Sequence, residues 1–212
     1  SNDGYYHCIV TSNTCSCITD TLTSQIDLGT KTITVISANT TYGTVSGGGT
    51  YSTGTIITIK ATPKTGYVFT KWSDNNTNAS RSITVTTNAS YIAMFAVAKH
   101  TITVNAGTGG TTTGGGIYNY GQTATLTATP NTGYSFVSWN DGVTTASRSV
   151  TVSAAATYTA TFAINSYTIT ATAGTGGSVT GSGSYNYGAT ATLTATPNTG
   201  YSFVKWSDNN TN

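Results

Sequence analysis

The run Ala-Thr-Pro-x-Thr-Gly-Tyr-x-Phe-x-x-Trp begins at Ala61, again at Ala128 and again at Ala195. Pro63, Pro130 and Pro197 are spaced by 67 residues, and so are Gly66, Gly133 and Gly200, and Trp72, Trp139 and Trp206. Arg81 recurs as Arg148 and Phe95 as Phe162, with two extra residues in the first copy between Ile33 and Tyr51. A fixed period of this kind marks a chain built from consecutive copies of one small unit. It divides the sequence into residues 1–31, a Cys-containing cap or tail of a preceding domain, and three repeats at 32–98, 99–165 and 166–212.

Within each copy the apolar residues alternate with polar ones. Ile57, Ile59 and Ala61 do so in the first repeat, and Ala124, Leu126 and Ala128 in the second. A period of two is that of a strand with one face buried. Glycine runs at 47–49, 114–116 and 181–183 supply turns. Pro and Gly of the recurring motif end the following strand. "RSITV" with "YIAMFA", and "RSVTV" with "YTATFA", read as a closing hairpin carrying Tyr91, Ala93 and Phe95 on one face. No stretch of helical period is present, so the chain is expected to be all-β.

A unit this small buries only about 60% of its unfolded surface, so its aromatics carry the core. The expected core residues are Tyr67, Phe69 and Trp72, with Tyr134, Phe136 and Trp139, and Tyr201, Phe203 and Trp206. The spacing holds a parity conflict. Tyr134 and Phe136 share one face of a straight strand, whereas Trp139 falls on the other. Either a bulge returns the indole to the core, or the ring stands outside as a platform for a glycan.

Charge excludes several functions. Only 7% of residues are charged, with no Glu and a net charge of +2, too thin for a phosphate-binding surface, so nucleic acid is not an expected partner. No apolar run reaches the roughly 20 residues of a membrane helix, and no membrane insertion is expected. Asp74, Asp141 and Asp208 recur singly, without the second acid or base that catalysis requires; they read as turn formers. They lack the several oxygen ligands that calcium takes. No cofactor or metal is expected. Lys71 and Lys205 would suit a Lys–Asn cross-link, but Ser138 breaks that pattern. Cys8, Cys15 and Cys17 fit one local disulfide, Cys8 to either Cys15 or Cys17, and do not fit zinc spacing, even with His7. Tyr118, Tyr120, Tyr185 and Tyr187, in the two "YNYG" runs, are the candidate ligand-facing aromatics.

The combined pattern GGTxxGGGxYxYGxTATLTATPNxGYxFxxWxDG…RSVTVxxxxTYTATF resembles the divergent internalin-B B-repeat family of bacterial surface proteins. The resemblance covers residues 32–212 and implies β-grasp-like domains in a linear array, extracellular or on the cell surface, without catalytic residues. The function it implies is a stalk, filament subunit or adhesin scaffold, with a carbohydrate-binding module using exposed Tyr or Trp as the alternative. Expected partners are a cell-surface glycan or host protein. The chain opens without Met and reads as a piece of something longer. The third copy ends before the "RSxTV…YxAxF" segment, so self-association by strand complementation there is a further expectation.

Overall fold

The computed structural model describes residues 29–211, which form strands and turns with no helix among them. The first unit holds β1 (Thr30–Ser37), β2 (Gly43–Ser46), β3 (Gly49–Ser52), β4 (Ile56–Pro63), β5 (Tyr67–Trp72), β6 (Ser80–Thr84) and β7 (Ala89–Val97). The odd strands form a four-stranded sheet in the order β3-β1-β7-β5, and the even strands a three-stranded sheet in the order β2-β4-β6. Every connection therefore crosses from one sheet to the other. β1 and β7 run parallel at the centre of the larger sheet, and the remaining pairs are antiparallel.

The second unit repeats this plan with β8 (Lys99–Ala106), β9 (Gly110–Thr113), β10 (Gly116–Asn119), β11 (Thr123–Pro130), β12 (Tyr134–Trp139), β13 (Ser147–Thr151) and β14 (Ala156–Ile164). Its sheets are β10-β8-β14-β12 and β13-β11-β9. A strict β-grasp lays a helix across a mixed sheet; here the three-stranded sheet packs against that face.

The expected closing hairpin is not formed. β6 pairs with β4, whereas β7 lies between β1 and β5. The reason lies just past β6: Val85 is buried and its N–H bonds to the Thr55 carbonyl, drawing the chain into the core before it crosses to the other sheet. The glycine runs are crossings of the same kind. Gly47 and Gly114 have φ of 95° and 99°, and a Cβ on either would collide with the backbone carbonyl of Thr58 or Thr125. Only glycine meets both conditions.

The facing sheets enclose one core per unit. In the first it is Ile33, Ile57, Ile59, Ala61, Trp72, Val85 and Ala93. In the second it is Ile102, Ala124, Leu126, Ala128, Trp139, Val152, Ala160 and Phe162. Tyr67, Phe69, Tyr134 and Phe136 are half-buried. The outward positions of β11 are all threonine, Thr123, Thr125, Thr127 and Thr129, opposite Ser147, Ser149 and Thr151 of β13. Hydroxyls thus do on this sheet what charged side chains do in most proteins.

The parity conflict at the tryptophan is resolved in the backbone. The register of β5 against β7 shifts between Phe69 and Lys71, and that of β12 against β14 between Phe136 and Ser138. Thr70 and Val137 are the extra residues of two β-bulges, and each bulge turns the next but one side chain inward. Trp72 then faces Ala93 and Trp139 faces Ala160, where the small partners leave room for the indole. The indoles are 0% and 1% exposed.

The third unit departs from this plan. It holds β15 (Ser166–Ile169), β16 (Gly177–Thr180), β17 (Gly183–Asn186) and β18 (Thr194–Pro197), paired as β15-β17 and β16-β18. Residues 201–206 form no strand. Their counterparts β5 and β12 pair only with β7 and β14, and the sequence holds no residues at the equivalent positions in this unit. Tyr201, Phe203 and Trp206 are accordingly not core here. Tyr201 is 59% and Phe203 36% exposed, Trp206 is half-buried, and an open groove runs past Val179, Leu193 and Phe203.

Candidate functional site

The turn after each tryptophan gathers most of the charged groups that recur with the repeat. Asp74 accepts a hydrogen bond from the Asn76 N–H at 3.2 Å, Asp141 from the Val143 N–H at 3.4 Å, and Asp208 from the Asn210 N–H at 3.0 Å. These are side-chain-to-backbone turns, in which the carboxylate stands in for a backbone acceptor. The chain's only two arginines reach back to the same acids. Arg81 pairs with Asp74 at 2.5 Å, and Arg148 with Asp141 at 2.6 Å.

Each guanidinium also covers an aromatic face. Arg81 lies 5.8 Å from the Trp72 ring and 5.0 Å from Tyr91, and Arg148 lies 5.2 Å from Tyr158, distances at which a cation is attracted to the ring. Trp72 donates its indole N–H to the Asn78 carbonyl at 2.9 Å, and Trp139 to the Thr145 carbonyl at 3.1 Å. In the first unit the cluster is a lid over the indole, closed by one ion pair, and in the second the paired arginine covers Tyr158.

Its electrostatics suit that role. Burial works to raise the pKa of Asp74, but the Arg81 hydrogen bond and charge and the Asn76 N–H outweigh it, and the carboxyl sits below its ordinary 3.8. For Asp141 the Arg148 hydrogen bond is the largest influence and the net direction is again down. A carboxylate so held is ionised at neutral pH with its oxygens occupied, a poor general acid or base. Among the described residues no three His, Cys, Asp or Glu side chains converge on a metal-sized site.

The candidate ligand-facing tyrosines are tied down within the array. Tyr118 donates its hydroxyl to the Gly114 carbonyl at 2.8 Å, and Tyr185 to the Gly181 carbonyl at 2.6 Å; Tyr51 does the same to Gly47 in the first unit. Tyr120 and Tyr187 lie against the preceding unit, Tyr120 half-buried and Tyr187 still 47% exposed. A Cβ on Gly66 would overlap the Tyr120 ring, and one on Gly133 the Tyr187 ring. These glycines belong to the recurring Pro-x-Thr-Gly turn, with φ of 84° and 82°.

One residue joins consecutive units, Ala98 between β7 and β8 and Asn165 between β14 and β15. The Ala98 N–H bonds to the Gly66 carbonyl and its own carbonyl accepts from the Tyr120 N–H, both at 2.8 Å. Asn165 repeats this with Gly133 and Tyr187 at the same distances, and its side chain accepts from Ser135 at 2.6 Å. Sequence reasoning missed this contact. Its trace was present, because the tyrosine is replaced only in the first copy, by Thr53.

The lysines hold surface turns. Lys71 donates to Asn75 at 2.8 Å and Lys205 to Asn209 at 2.9 Å. Both asparagines have positive φ, where the middle copy has Gly142. His7, Cys8, Cys15 and Cys17 lie outside the described residues. No helix among the described residues is long and apolar enough to cross a membrane.

Successive copies joined through a single residue, the first two sharing a two-sheet plan with an Arg–Asp pair beside the tryptophan turn, define a tandem β-repeat protein. The chain belongs to the divergent InlB B-repeat domain family, whose model matches residues 33–99, 100–166 and 167–212. This is a repeat domain of bacterial surface proteins. Comparison with the curated proteins and with the solved structures finds no match.

Proposed function

We propose that this chain is a non-enzymatic spacer of a bacterial extracellular or cell-surface protein, a stalk segment that carries other domains away from the cell. The observation that supports it most is the join between units. With one residue between strands, and both backbone groups of that residue bonded, one to each unit, consecutive repeats have no slack in which to tumble. Catalysis finds no support in the acids, which serve turns and ion pairs. The carbohydrate-binding alternative has less support, because the Trp72 and Trp139 indoles are buried and Tyr118, Tyr120 and Tyr185 are half-buried, leaving Tyr187 the most exposed of the four tyrosines.

The test is made on cells. Antibodies against the 212-residue chain are expected to label intact bacteria that produce the parent protein, with the label removed by external protease. Labelling that requires permeabilised cells overturns the reading. A glycan array probed with the chain is expected to show no binding; specific retention on one glycan class would restore the alternative.

A further inference from the structure

We propose that the second tyrosine of each Tyr-Asn-Tyr-Gly run is an orientation lock between neighbouring units, seated on the glycine of the preceding unit's Pro-x-Thr-Gly turn. The surface it docks on is Gly66 for Tyr120 and Gly133 for Tyr187, and the partner each surface fits is the tyrosine-bearing edge of another repeat. The lock gives the proposed stalk its stiffness and in that sense rests on the spacer reading.

Two copies of the contact share every element. Each glycine is left-handed and bare, each accepts the N–H of the joining residue, and each joining residue accepts the N–H of the tyrosine. A hydrogen bond at a single-residue join still permits rotation about the adjacent backbone bonds. A ring seated against a bare glycine removes that freedom, because aromatic area is large and its rotamers few. The glycine is thus required twice, once by its φ and once by the ring above it.

Two further positions lack the ring. Gly200 has the same φ of 84°, and a Cβ there would meet nothing within 4 Å among the described residues. Thr53 stands where the tyrosine would be in the first unit, and its N–H still bonds to the Gly29 carbonyl, the counterpart of the Tyr120-to-Ala98 bond. At Thr53 the backbone bond is made without a ring.

The test is residual dipolar couplings of the full chain, read separately for the first and second units. Wild type and Tyr120→Phe are expected to share one alignment frame across both units. In Tyr120→Ala the frames separate, while the Trp139 indole resonances stay in place and report that the second unit is folded. Gly133→Ala and Gly121→Ala form a paired control, since both glycines have φ of 82° and only Gly133 lies under a ring. The frames of the second and third units are expected to separate in Gly133→Ala and to remain joined in Gly121→Ala. A common frame retained in Tyr120→Ala overturns the lock and leaves the spacer reading standing, because surface display is measured independently on cells.

Discussion

The second and third units carry nearly the same motif, "ATPNTGYSFVSW" and "ATPNTGYSFVKW", yet only one buries it. Trp139 is sealed between two sheets, whereas Phe203 is 36% exposed beside a groove. The difference lies in the pairing partner of the aromatic strand. β12 has a single neighbour, β14, so the aromatic strand acquires order only when the last strand of its unit arrives. The aromatic motif is a core only in the presence of a strand some twenty residues downstream.

The largest effect should come from deleting Val137. Without the extra residue of the bulge, Trp139 points outward, and a one-residue slip reverses the whole face. The second unit should then fail to fold, read as loss of its Trp139 indole signals and half of the aromatic circular dichroism contributed by the two buried tryptophans. Retention of those signals would mean the bulge is dispensable.

Truncating Trp139 to Ala should destabilise the second unit by roughly 3–5 kcal/mol. Trp206→Ala should cost a small fraction of that, because its ring is already half in water. Denaturant melts of the two variants read the contrast, and equal losses would break it.

Arg148→Met keeps the aliphatic stem over Tyr158 and removes the charge. The ion pair is partly exposed, so the expected loss is about 1 kcal/mol or less. It should shrink in an Asp141→Asn background to what the Tyr158 ring contact contributes, as a double-mutant cycle would show.

The smallest effect is in acid. Asp74 and Asp141 have folded-state pKa values below the ordinary 3.8. Their contribution is therefore present above that value and is lost as pH falls through the lower folded value. Thermal melts between neutral pH and about pH 2 should show a modest drop below pH 4 that Asp141→Asn makes smaller.

Some of this was legible in the residues and some was not. The alternation of Ala124, Leu126 and Ala128 marked a half-buried strand, and the parity of Phe136 against Trp139 narrowed the choice to a bulge or an outward ring, because both are local properties of one strand. The sheet crossings were not legible. A short polar link between two strands reads alike whether it closes a hairpin or passes to a second sheet, and Val85 looks like any strand residue. Contacts between units left only an indirect mark, the tyrosine present at 120 and 187 and missing at 53.

The parallel pairing of β1 and β7 has a mechanical outcome. These are the strands by which the chain enters and leaves the first unit, and they lie side by side from Ile33 opposite Ala89 to Ser37 opposite Ala93. Tension transmitted along the polypeptide pulls them in opposite directions along their common axis. The ladder between them is then loaded in shear, all its bonds at once, rather than peeled open one rung at a time. A small, sparsely charged module of modest thermodynamic stability can in this way resist sudden extension.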